Sequence, residues 1–289
     1  MLRPRFSLLV FLGVTRVGAI VVDEDPTKSG DCAPPLTDAV ALVYTPVGNT
    51  ASGTLLPGGR YILTAAHVVS DLAEDTLARG LIKFPSCPGK PRRHWKAVHL
   101  HPKAEDLELS RVWDAALIEL DSPLPEDVVA GVPIRQRAVE KGLMVHLVGY
   151  GQQGDGLLGN FRPPGTLSHG RNRFDQNPTP SLLVSLGLPM DCGPLLIHRF
   201  DPGHREGHFA PGDSGGPGLL AGPDGRVRIA SLNLGRHRGP SDHDHRLNGS
   251  FGELGLSLDV SALRPWLEPF LSQPQKTQSE KPKSQKDEM

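Results

Sequence analysis

Short apolar runs, broken every few residues by glycine or proline, constrain this chain more than any other feature. Among its 289 residues are 33 glycines and 28 prolines. Glycine opens backbone conformations that other residues resist, and proline interrupts helices and central strands. Between these breaks lie Ala39–Tyr44, Tyr61–Thr64, Ala115–Leu120, Met144–Val148 and Val227–Leu232, each of strand length. None alternates with a long amphipathic helix, so an all-β fold is expected rather than an α/β one. No internal repeat is evident. Helical spacing belongs to Val260, Leu263, Trp266, Leu267 and Phe270 near the end of the chain. Pro265 is tolerable there if Ser261 is the cap, whereas Pro269 predicts a kink or an early stop.

Bulk charge narrows the partners. The 31 Lys and Arg against 32 Asp and Glu give a formal charge of −1. Such balance offers no electrostatic case for nucleic acid or an anionic membrane. The first residues do carry local charge, with Arg3 and Arg5 ahead of the apolar stretch Phe6 to Val14 and the small-residue exit Val17-Gly18-Ala19. That order is expected of a secretory signal peptide over 1–19. It is too short, and too close to arginine, for a permanent membrane span. A secreted protein, extracellular or periplasmic, with no membrane contact after signal removal is therefore expected.

Three separated motifs point to chemistry. Gly212-Asp213-Ser214-Gly215-Gly216-Pro217 flanks one serine with glycines. A loop of this kind presents a hydroxyl while leaving neighbouring N–H groups free to face a ligand oxygen, the layout of an acyl-transfer nucleophile. The same composition also serves ordinary turns. Upstream, Thr64-Ala65-Ala66-His67 follows an apolar run, and Asp114 opens the run Ala115–Leu120. Taken singly, His67 reads as an exposed loop residue and Asp114 as a strand-start turn residue. In the chain order His, Asp, Ser they supply base, orienting carboxylate and nucleophile.

On these motifs the chain resembles the chymotrypsin-fold, trypsin-like serine proteases. Val148-Gly149-Tyr150-Gly151, Arg228-Ile229-Ala230-Ser231 and the closing segment Val260–Leu267 add to the likeness, which spans roughly residues 36 to 272. The resemblance implies two six-stranded antiparallel β-barrels with a C-terminal helix. The implied organisation is a signal peptide 1–19, an N-terminal segment 20–35, a first barrel 36–130, a second barrel with its helix 131–272, and a disordered tail 273–289. It implies Ser214 as nucleophile, His67 as general base and Asp114 as its orienting acid. Backbone N–H groups of Gly212 and Ser214 would form the oxyanion hole. A pocket built from His208, Phe209, Ser231 and Asn233 would hold the substrate, with Ser231 also supporting the aspartate or serving as a plain strand serine. A protein or peptide substrate, a monomer, and neither cofactor nor metal are expected.

Departures from the family pattern are equally specific. His208, six residues before the serine, cannot supply the carboxylate that selects Lys or Arg, and a histidine there could favour an acidic or neutral side chain. Leu232-Asn233-Leu234-Gly235 would narrow the pocket mouth. Cys32, Cys87 and Cys192 are the chain's three cysteines, so one thiol is left over. Cleavage after Ala19 would begin the mature chain at Ile20-Val21-Val22, whose amine could meet Asp213; an arginine could neutralise Asp213 instead. His237, His243 and His245, with Asp242 and Asp244, read as a solvated loop rather than a metal site. Asn248-Gly249-Ser250 fits the N-glycosylation pattern. Alternatives to an endopeptidase are a catalytically silent protease-like binding protein and an esterase on the same fold.

Overall fold

Runs of consecutive apolar residues become strands here because barrel and core together bury both of their faces. The computed structural model describes residues 20–23, 37–105, 112–175, 178–190 and 193–272. The expected signal peptide 1–19, most of segment 20–35, Cys32, Cys192 and the tail 273–289 lie outside the described residues. Six strands, β2 (Val40–Tyr44), β3 (Thr50–Leu55), β4 (Tyr61–Thr64), β5 (Leu81–Lys83), β6 (Arg92–Leu100) and β7 (Ala116–Leu120), follow β1 (Val21–Val22). They close into a barrel in the order β2-β3-β4-β7-β6-β5. Every residue of β4 and β7 is buried. The one charge among them, Glu119, meets Lys96 at 2.7 Å and Arg60 at 3.9 Å.

The second half contributes β8 (Met144–Gly149), β9 (Gln153–Asp155), β10 (Gly159–Arg162) and β11 (Ser168–Arg173). After them come β12 (Leu195–Arg199), β13 (Gly207–His208), β14 (Pro217–Ala221), β15 (Val227–His237) and β16 (Leu254–Asp259). Six of these form a curled half-barrel, β11-β8-β14-β15-β16-β12. The all-β, chymotrypsin-type architecture expected from sequence is thus present, with the first six-stranded unit closed and the second open between β11 and β12. A buried side chain spans that opening: Asn172 Nδ2 on β11 donates to the Arg199 carbonyl at 2.7 Å and to the Gly207 carbonyl at 2.9 Å. Leu55, Ile62 and Leu117 share one core with Leu219, Leu232 and Leu258, so barrel and sheet pack as one body.

A smaller sheet, β10-β9-β1-β13, covers one end of the second half. In it, Val21 pairs antiparallel with His208 and parallel with Gly154. Ile20, Val21 and Val22 are all buried.

Two helices complete the fold. One, α1 (Pro180–Leu186), was not foreseen, although its ends carry the usual signals. Thr179 caps it by accepting from the Leu182 amide at 3.3 Å, Pro180 fills its first position, and Gly187 ends it at φ 64°. The other, α2 (Arg264–Leu271), continues a 3₁₀ turn over Val260–Leu263. Asp259 caps that 3₁₀ turn by accepting from the Ser261 amide at 2.9 Å, so Ser261 is not the cap, and α2 itself starts without a side-chain cap. Pro265 sits in the first turn, where no N–H is missed, and α2 stops soon after Pro269. Phe270 packs its ring 5.4 Å from that of Tyr61 on β4, tying the chain's end to the barrel.

Candidate active site

Strand register brings the histidine and the aspartate together. β4 and β7 run antiparallel with Thr64 opposite Ala116. His67, just past the end of β4, and Asp114, just before β7, therefore emerge at the same barrel rim. Asp114 is buried, and its Oδ1 accepts the His67 backbone N–H at 2.8 Å. Its Oδ2 lies 2.5 Å from Nδ1 of the His67 ring. Loss of water pulls the imidazole towards lower pKa. The hydrogen bond and charge of Asp114 outweigh that pull, leaving His67 above its ordinary value of 6.5.

Ser214 arrives from the second half on a turn held by the first. Gly212 at φ 97° and Gly215 at φ 80° adopt left-handed conformations that favour glycine. A Cβ on Gly215 would stand 2.1 Å from Thr64 Oγ1, so the turn docks directly onto the end of β4. Ser52 on β3 fastens it. Its N–H donates to the Ser214 carbonyl at 2.9 Å, and its hydroxyl donates to the Gly212 carbonyl at 2.8 Å. The same oxygen accepts the Tyr150 amide at 2.9 Å. Nothing in the sequence marked Ser52, which looks like any serine in a strand.

Backbone donors in this turn divide cleanly. The amides of Ala210, Asp213, Gly215 and Gly216 are engaged, to Asp213 Oδ2, Ala210 O, Asn233 O and Asp213 O. Those of Gly212 and Ser214 have no acceptor among the described residues. Asp213 itself is buried, accepts from Ala210 and Gly151, and has its pKa pushed up to about 8 by burial. Ser214 Oγ donates to the Leu234 carbonyl at 3.3 Å rather than to His67. At that length the bond is weak, and rotation about one χ1 releases the hydroxyl.

Two cavities flank the site. A cleft of about 380 Å³ lies against His67 and Asp114 and is walled by Leu186 at the end of α1 and Leu188 just beyond it, with Leu234, Leu256 and His237 also lining it. A pocket of about 170 Å³ opens at Ser214 between Phe209–Pro211 and Asn233–Arg236. Of the four residues expected to form it, Phe209 and Asn233 line it, whereas His208 and Ser231 stand outside. His208 is fully buried under β1, with Nδ1 3.3 Å from His198 Nε2 and Nε2 3.4 Å from Glu253 Oε2. Burial pushes both imidazoles below their ordinary range. Ser231 faces Gly218 across the β14–β15 ladder, and its hydroxyl has no hydrogen-bond partner among the described residues. The β15 register explains the difference. Asn233 exchanges hydrogen bonds with Gly215 and Gly216, so Leu234, and not Ser231, reaches the serine turn. Sequence reasoning missed Arg236 on the same wall.

Among the described residues no group of three His, Cys, Asp or Glu side chains could hold a metal ion. Nor, among them, is any helix long and apolar enough to cross a membrane. In the Asn248-Gly249-Ser250 triplet, Asn248 Nδ2 donates to Asp244 at 2.9 Å and Ser250 is fully buried. Cys87 is free and buried, its thiol donating to the Val128 carbonyl at 3.2 Å.

Removing the Ser52 hydroxyl tests how firmly the turn is fastened. Ser52→Ala leaves the Gly212 carbonyl and the Tyr150 amide unpaired, and should cost about 2–3 kcal/mol of stability. A urea titration checks this. An unchanged midpoint would show that the two bonds do not hold the turn.

The Trypsin family model matches residues 32–173, a span that takes in His67 and Asp114 and stops short of Ser214. No curated protein matches the chain. Over residues 32–173 the chain is thus similar to the Trypsin family, and its closed six-stranded barrel, curled second sheet and closing helix give it the chymotrypsin/trypsin-like serine protease fold.

Proposed function

We propose that this chain is a secreted serine endopeptidase working through Ser214, His67 and Asp114. One observation carries the reading. A carboxylate-held imidazole follows the end of β4, and onto that same strand end docks a serine turn in which only the Gly212 and Ser214 amides are unclaimed among the described residues.

In this mechanism His67 Nε2 takes the Ser214 proton as Oγ attacks the substrate carbonyl carbon. The Gly212 and Ser214 amides receive the resulting oxyanion. Collapse breaks the peptide bond, and His67 returns its proton to the departing amine. Water, deprotonated by the same ring, then hydrolyses the acyl-enzyme. Asp114 stays ionised and keeps Nδ1–H facing it, so Nε2 is the free base. The cation acting on the buried Asp213 is Arg236, which supports neutralisation by an arginine rather than by an Ile20 amine.

The bond from Ser214 Oγ to Leu234 favours a second reading, a silent binding protein on the same fold. Fluorophosphonate labelling separates the two. Secreted, folded protein should label stoichiometrically and cleave a mixed peptide library. If it stays unlabelled while a trypsin control reacts, the endopeptidase reading falls. Hydrolysis of esters without peptides would indicate the esterase.

A further inference from the structure

The pocket at Ser214 contains a cation that the catalytic scheme does not use. Arg236 is the one charged residue lining it, opposite Phe209 and Ala210. Its side chain is 10% exposed. The charges of two buried acidic residues, Glu253 and Asp213, act on the guanidinium, but its direct contacts are few. Nη1 donates to Asn160 Oδ1 at 3.2 Å and lies 3.6 Å from Glu253 Oε2. Both contacts are long and both use the same nitrogen, out of five N–H donors on the group.

Glu253 is anchored mainly through its other carboxylate oxygen. Its Oε1 already accepts from the amides of Asn248 at 2.7 Å, Gly249 at 2.6 Å and Ser250 at 3.3 Å. Its Oε2 is shared between two long contacts, 3.4 Å to His208 Nε2 and 3.6 Å to Arg236 Nη1. A nearly buried guanidinium with spare donors beside an open cavity is costly unless an acceptor arrives to use them.

From this geometry we infer that Arg236 determines specificity and that the pocket accepts an acidic side chain, aspartate or glutamate, on the acyl side of the cleaved bond. The inference rests on the endopeptidase reading only for cleavage; recognition of the side chain is separable from it. A carboxylate would complete a charge-assisted, bidentate-capable pair with the guanidinium. Lysine and arginine would meet a like charge and be refused.

The test uses peptides that differ only at that position, carrying Glu, Gln or Lys. Mature protein should cleave the Glu peptide roughly 10²-fold faster in kcat/KM than the Gln peptide, since an isostere without the charge leaves buried donors unmatched. Binding is measured in parallel by calorimetry on Ser214→Ala protein, where the Glu peptide should bind at least about tenfold tighter than Gln. Arg236→Gln alone strands Glu253 and could unfold the loop, so Arg236→Gln/Glu253→Gln removes both charges together. With an unchanged near-UV circular dichroism spectrum as the check on folding, that pair should lose the Glu preference in binding and in cleavage. Equal binding and cleavage of Glu and Gln overturns the inference and leaves the hydrolase standing. So does a preference that survives in the doubly substituted protein. A Glu preference in binding without any cleavage upholds the pocket and fails the hydrolase.

Discussion

Replacing Ser214 with alanine should lower turnover by about 10⁶-fold, because loss of the nucleophile removes the covalent route altogether. The change deletes one oxygen whose hydrogen bond is a long one to Leu234. Unfolding free energy should therefore move by no more than about 0.5 kcal/mol. Stopped peptidase activity, absent fluorophosphonate labelling and an unchanged urea midpoint together form the expected result. Full activity in the alanine protein would place the nucleophile elsewhere.

Asp114→Asn should reduce kcat about 10⁴-fold with little change in KM. The carboxylate makes two bonds to one residue, backbone N–H and ring Nδ1. An asparagine that keeps the first through its carbonyl turns its NH₂ towards the ring, which forces the proton onto Nε2 and removes the base. The pH profile supplies an independent sign. Asp114 holds His67 above its ordinary pKa, so wild-type kcat/KM should rise with pH through a limb above about 6.5. In the asparagine protein that limb should move down. Stability follows the same linkage: a histidine raised in the folded state contributes fully below its unfolded pKa and loses that contribution as pH rises through the folded one. That dependence should shrink in Asp114→Asn. A limb at the same pH in both proteins would mean that the carboxylate does not set the imidazole's proton affinity.

Much of this site could be read from the chain because its parts are local. Tyr61–Thr64 and Ala116–Leu120 are largely apolar runs, broken by the one charge of Glu119, and His67 and Asp114 lie just beyond their paired ends. The glycines around Ser214 announce left-handed backbone directly. What stayed hidden depends on long-range pairing. Ser52 acts on residues 160 positions away, through a side chain that any strand could carry. Irregularities at Gly218/Leu219 and Asn233/Gly235 shift the register of β15, so counting along the strand from Ser231 misplaces the residue that meets the serine turn. His208 looked like a pocket residue by spacing, yet β1 folds over β13 and seals it away. The signals for α1 were present in Thr179, Pro180 and Gly187, but seven residues are too few for a helical period to stand out.

The fastening of the Ser214 turn to β3 has a consequence for damaged molecules. Ser52 N–H and Oγ, with the close seat of Gly215 on Thr64, make the barrel part of the turn's own scaffold. Any event that prises barrel and sheet apart distorts the turn at once. On the reading proposed above, a partly denatured copy would fall silent before it came undone, and so would not persist as an indiscriminate cutter of its neighbours.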